Sequence, residues 1–277
     1  MAPVRVRPTR ADRAEQVQAC LATVMDPELD ESVTELNFIT EVELIGEGEV
    51  RIGFRLPTYW CAPNFAFLMA DDMRVAVQAL PWVTRVGVHL GEHMYADAIN
   101  RGVAEGAGFQ ASFGAESEGN LDSLRQTFML KAFQRRQSAL LQHLLDAGHA
   151  PAALMALDHA ALRHLALDAE GERLVERYLE RRGVVDVGTR AFVDTEGRPI
   201  TTEALPGHLR DLRRVSVNAE FNGVLCRGLL AVREREVGVQ PIHIVRRPLP
   251  GDPHTEAHTQ AHTQAHTQST AATQNHL

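Results

Sequence analysis

The segment VRIGFRLPTYWCAPNFAFLMADDMRVAVQAL, Val50 to Leu80, changes its hydrophobic period across one short loop. Val50, Ile52, Phe54 and Leu56 alternate with Arg51, Gly53 and Arg55, which is the pattern of a strand with one buried and one wet face. Beyond the loop, Phe65, Met69, Met73, Ala76 and Leu80 recur at helical steps, with Asp71, Arg74 and Gln78 on the opposite face. Pro63 suits the first turn of that helix, and Pro81 stops it. A half-buried strand followed at once by an amphipathic helix must pack as sheet against helix. One cysteine, Cys61, stands at the switch.

The flanking sequence completes the unit. Val17, Cys20, Leu21 and Val24 form an apolar helical stripe that Thr9 can cap, and MDPELDE ends it, since Pro27 forces Asp26 out of helical geometry. ITEVELI and VRIGFRL flank a Gly46–Gly48 turn, and WVTRVGVHL alternates as a third strand. The order helix–hairpin–helix–strand predicts a two-layer α+β domain over residues 1–105. Gly/Ser-rich residues 106–119 read as a linker. Residues 120–247 read as a mainly helical accessory domain: Asn120 caps a helix running to about Gly148, and PAALMALDHAALRHLAL, with Asp158 as an internal cap, and AEGERLVERYLERR supply two more. The stretch RVSVNAEFNGVLCRGLLAVRE, Arg214–Glu234, reads as β-like, with Cys226 packed inside it. Residues 248–277 carry a four-residue repeat placing His254, His258, His262 and His266 in register without large apolar residues. Such a tail is expected to be disordered, with nonspecific metal capture as its one chemical capability.

Composition narrows the function. A net charge of −8 supplies no basic excess for phosphate backbones, which argues against nucleic acid as partner. Lys131 is the sole lysine, so lysine chemistry is excluded almost everywhere. Cys20, Cys61 and Cys226 are far apart, with no CxxC pair and no disulfide framework, which predicts a reducing, cytoplasmic setting. No apolar run approaches the roughly 20 residues of a membrane span, and no signal peptide is expected. HLGEH, His89 to His93, has zinc-peptidase spacing, but His89 ends a strand and Gly91 interrupts any helix, so both histidines are read as surface residues, with a metal contact by either one as the alternative. The arginine segments RYLERR and HLRDLRR are read as solvated helix faces, with partner-docking faces as the alternative.

Cys61 precedes a helix N-terminus, where free N–H groups and the dipole favour a thiolate; Tyr59 and Trp60 are placed to shield it from water. No partner base for a nucleophilic thiol is identifiable, so an enzyme is not expected.

Together DPEL (Asp26–Leu29), the hairpin, PTYWCAP (Pro57–Pro63) and the strand VGVHL resemble the SufT/PaaD-like iron–sulfur cluster assembly domain family over residues 10 to 91. The resemblance carries over Asp26, Pro27, Glu28, Thr58 and Cys61. It implies a maturation factor that handles iron or an iron–sulfur cluster transiently through Cys61, with Asp26 and Glu28 nearby and Thr58, Tyr59 and Pro63 supporting the loop. One thiolate and two carboxylates are too few for a permanent cluster, which suits a site shared across a homodimer or with a client. The longer form is similar to accessory proteins of bacterial soluble di-iron monooxygenases of the propane-oxidising type. Such an enzyme is the implied client, with other iron–sulfur assembly proteins as further partners. The chain departs from the family in having Cys61-Ala62-Pro63, where proline usually follows cysteine directly. That departure motivates the alternative of a regulatory monooxygenase subunit without metal handling.

Overall fold

The computed structural model describes residues 8–114, 121–185, 188–237 and 243–247. Helix α1 (Arg10–Ala22) starts with a reciprocal capping box: the Thr9 hydroxyl accepts from the Asp12 N–H, and the Asp12 carboxylate accepts from the Thr9 N–H. Strands β1 (Ile39–Ile45) and β2 (Glu49–Phe54) pair antiparallel around a turn that Gly46 enters at φ 55°, where only glycine is unstrained. Val50, Ile52 and Phe54 are buried, as their alternation requires. Helix α2 (Pro63–Gln78) crosses back and delivers β3 (Arg85–Leu90) parallel to β2.

The buried side of α2 is wider than the single stripe read from the sequence. Ala66, Phe67, Leu68, Met69, Ala70, Met73 and Val77 are all buried, because one flank of the helix meets the sheet layer and the other meets a later helix. On that second flank Phe65 sits edge-to-face on Phe128 at 4.8 Å, and Arg125 bridges Asp71 and Asp72. Helices α3 (Ala96–Ala104) and α4 (Phe109–Phe113) close the first core, with Phe109 against Phe67 at 5.6 Å and Phe113 at 4.6 Å. Of the stretch 106–119 read as a linker, the described residues 106–114 contribute a short helix to this core, and the rest lies outside the described residues.

The second unit comprises α5 (Leu121–Asp146), α6 (Pro151–Ala156), α7 (His159–Arg163), α8 (Ala169–Arg182) and α9 (Leu205–Val237). Asp158 caps α7 as expected, and Asp168 caps α8. Phe133, Leu140, Leu144, Tyr178 and Phe192 form its core. The fully buried Gln137 amide donates to the Tyr178 hydroxyl and the Val193 carbonyl. The β-like reading of Arg214–Glu234 is corrected: the whole stretch lies within α9. Its valines favour extended backbone only weakly, and packing decides instead. Leu205 and Leu212 are buried in the second core while Leu230 enters the first, a span that one continuous helix bridges.

The strand comes after that helix. β4 (His243–Arg247) adds in parallel to the free edge of β1, giving the order β3-β2-β1-β4. The architecture is therefore α+β, with a mostly helical second half. The repeat bearing His254, His258, His262 and His266 lies outside the described residues. Among the described residues no helix is long and apolar enough to cross a membrane.

Candidate functional site

The chain leaves α1 through a tight turn at Asp26–Asp30. Pro27 bars helix continuation, so the Asp26 carboxylate takes over the backbone donors and accepts from the N–H groups of Glu28 at 2.8 Å and Leu29 at 2.7 Å. Asp30 closes the turn at φ 54°, its N–H bonded to the Asp26 carbonyl. Asp26 is 8% exposed. Burial pushes its carboxyl up to about 6, against the lowering pull of the two backbone N–H donors. Beside it opens a cavity of about 290 Å³ lined by Asp26, Leu68, Asp72, Val75 and Phe128.

Cys61 lies in the loop between β2 and α2, half-buried against the first core. Pro63 occupies the first turn of α2, and Ala62 is its N-cap without a capping side chain. The helix-terminus effects expected to favour a thiolate are outweighed. Burial pushes the Cys61 thiol up to about 12, the nearby Asp26 carboxylate and Cys226 push the same way, and the Ala62 N–H opposes them too weakly to prevail. The expected aromatic shield is also absent: Tyr59 and Trp60 pack edge-to-face on each other at 4.7 Å, 56% and 58% exposed. Thr58 is half-buried in the loop and makes no side-chain hydrogen bond among the described residues.

His93, read as a surface residue, is instead 8% exposed and braces the cysteine loop. Its Nε2 bonds the Cys61 carbonyl at 2.9 Å and its Nδ1 accepts the Tyr95 N–H at 3.1 Å. The carbonyl can only accept, so Nε2 carries the proton. With both nitrogens engaged, His93 positions the loop. The Met94 N–H adds a bond to the Tyr59 carbonyl at 2.9 Å. His89 stays at the surface, its Nδ1 paired with the Asn100 amide.

A residue not singled out from the sequence joins the site from the far end of the chain. Asn222 of α9 donates to the Glu28 carboxylate at 2.7 Å, and Arg227 pairs with Glu31 at 2.6 Å. Cys226 lies one helical turn beyond Asn222 on that face. Its thiol is raised by burial and by Asp26 and Glu28, and it interacts electrostatically with Cys61. Two thiols and two carboxylates from three separate segments thus lie near enough to influence one another electrostatically. Among the described residues, no three His, Cys, Asp or Glu side chains stand close enough to hold a metal ion. The donors match iron in kind, soft sulfur and hard oxygen, but they are not drawn together as a chelate.

Residues 14–89 match the sequence model of a family described as iron–sulfur cluster assembly protein. None of the curated proteins compared with the chain matches it. The matched span contains Asp26, Glu28, Thr58, Tyr59, Cys61, Pro63 and His89, and it ends before His93. The matched span thus contains Cys61 and the acidic turn, while Cys226 and the groups that clamp the turn come from beyond it. The only signal for Cys226 in the sequence is its four-residue step from Asn222, which appears once the stretch is recognised as helix.

Proposed function

We propose that the protein is a maturation factor that receives and hands on iron or an iron–sulfur cluster for a client oxygenase, with Cys61 as the principal donor and Asp26, Glu28 and Cys226 completing the transfer site. The assembly domain supports the general role in cluster assembly. What supports the finer reading is that Asp26, Glu28 and Cys226, on the DPEL turn and α9, lie near enough to the cysteine loop to raise the Cys61 thiol, with Asn222 of α9 bonded to Glu28. Burial raises the Cys61 thiol most, and the acidic surroundings that add to it attract a cation; an approaching iron would reverse the balance and release the thiol proton. A donor set that is near but not converged suits a cargo that must leave again.

The protein's own residues fix where the cargo meets the client. His93 and Met94 hold the cysteine loop against the strand exit, and Asn222 orients Glu28. Exposed Tyr59, Trp60, Met94 and Tyr95 border the loop, and exposed Phe221, Val224 and Leu225 border Cys226. Apolar surface of this kind beside a transfer site is where a client protein would dock. The client in this reading is a soluble di-iron monooxygenase, and no catalytic step is assigned to the protein itself.

The test is to coexpress a di-iron hydroxylase with wild type or with Cys61→Ala, then measure hydroxylase iron content and activity. The expected result is under-metallated hydroxylase with Cys61→Ala; equal metallation would remove Cys61 from the mechanism. A second reading, a regulatory subunit that docks without carrying metal, is favoured by the protonated thiol and the unconverged donors. It predicts that hydroxylase activity changes while hydroxylase iron does not.

A further inference from the structure

The two arginine segments expected to be solvated faces converge on one cavity. It measures about 610 Å³, lies between α5, α8 and α9, and has Leu29 and Asp30 of the acidic turn in its wall. Arg135 and Arg136 of α5, Arg177 of α8, and Arg210 and Arg213 of α9 line it. The carboxylates in the lining are Asp30 and Glu220 alone, a formal excess of three positive charges in a chain of net charge −8.

Internal pairing accounts for only part of this charge. Asp30 is taken by Arg136, at 2.5 and 2.9 Å, and more loosely by Arg177 and Arg181. Arg136 also holds Glu180 at 2.8 Å, so it is fully used. Arg135 gives Nη1 to the Glu28 carbonyl, and its Nη2 is buried with no hydrogen-bond partner. Burial holds that guanidinium below the usual arginine range, opposed by the acids of the turn. Arg210 and Arg213 are exposed and have no ion pair among the described residues. A buried guanidinium N–H without an acceptor, beside two arginines without an ion pair, is compensated best by an oxyanion. The volume falls within the range of small-molecule sites.

We infer that this cavity binds a small polyanion carrying two or more phosphate or carboxylate groups, held by Arg135, Arg177, Arg210 and Arg213. A single carboxylate leaves most of the excess charge unmatched, whereas two or three oxyanion groups balance it. This inference is independent of the metal reading, because no residue of the proposed donor set lines the cavity.

The test is calorimetric titration of the full chain at about pH 8, where histidines are neutral, and about 0.15 M salt, where loose surface charge is screened. Inorganic pyrophosphate and citrate are used in parallel. The expected result is one saturable site per chain for at least one probe, and which probe binds identifies phosphate or carboxylate as the recognised group. The double substitution Arg210→Gln/Arg213→Gln is expected to weaken binding by more than about tenfold, as the loss of charge-assisted bonds implies. Arg214→Gln, on the same helix but outside the cavity, is expected to stay within about twofold. Both substituted positions are exposed, so folding is not at issue. Absence of saturable binding up to about 10 mM for both probes, or equal weakening by Arg214→Gln, overturns the proposal.

Discussion

Asp26 is a carboxyl kept where its charge is unwelcome. Its value of about 6 stands above the ordinary 3.8 because burial disfavours the ionised form. The folded state therefore binds the proton more tightly than the unfolded chain between these two values. Its stabilising contribution is complete below about pH 4 and is lost as pH rises through about 6, on the order of 3 kcal/mol. Asp26→Asn keeps the oxygen that accepts from Glu28 and Leu29. It is expected to be more stable than wild type at pH 7 and equal to it near pH 4, as compared by urea midpoints at the two pH values. The same carboxylate raises Cys61, though less than burial does. Iodoacetamide should therefore label Cys61 roughly a thousandfold more slowly than a free thiol at pH 7, and Asp26→Asn should speed that labelling.

At the scale of elements, the acidic turn is held as much by the helical half as by its own backbone. Asp30 is 5% exposed and receives the fork of Arg136, itself 6% exposed, across the α5 contact. Removing one partner strands a buried charge, so Asp30→Ala should cost about 3–5 kcal/mol in denaturant unfolding. Arg177→Ala, whose side chain is 38% exposed, should cost less than about 1 kcal/mol. Ala62, an N-cap without a capping side chain, offers the opposite effect: Ala62→Ser should stabilise by about 1 kcal/mol, read as a raised Tm.

These elements also show what the chain made legible. The strand–cysteine–helix switch, the Asp-Pro turn and the Thr9 and Asp158 caps rest on local rules of period and capping, and all are visible in the sequence. The partnership of Asp30 with Arg136, the bracing role of His93 and the arrival of Cys226 depend on contacts between residues far apart in the chain. No local pattern encodes those. The valines of α9 were misleading for the same reason, since burial at both ends of one long helix outweighs their local preference. The upward push on the Cys61 thiol comes mainly from burial, which spacing alone does not reveal.

For the molecule as a whole, α9 and β4 tie the two halves together. α9 runs from the second core to the first, and β4 covers the otherwise open edge of β1. Ending the chain after Val237 removes β4 and exposes that edge, so the shortened protein should self-associate more than the full chain in light scattering after gel filtration. A chain ending after Arg247 keeps the strand and should behave as the full chain does.

The most direct test of the account is anaerobic titration with ferrous iron and sulfide of a chain in which His254, His258, His262 and His266 are replaced by alanine, with sulfur-to-iron charge-transfer absorption as the readout. A band that is abolished by Cys61→Ala and weakened by Cys226→Ala and Asp26→Asn is expected. An identical band and identical iron content in Cys61→Ala would contradict it.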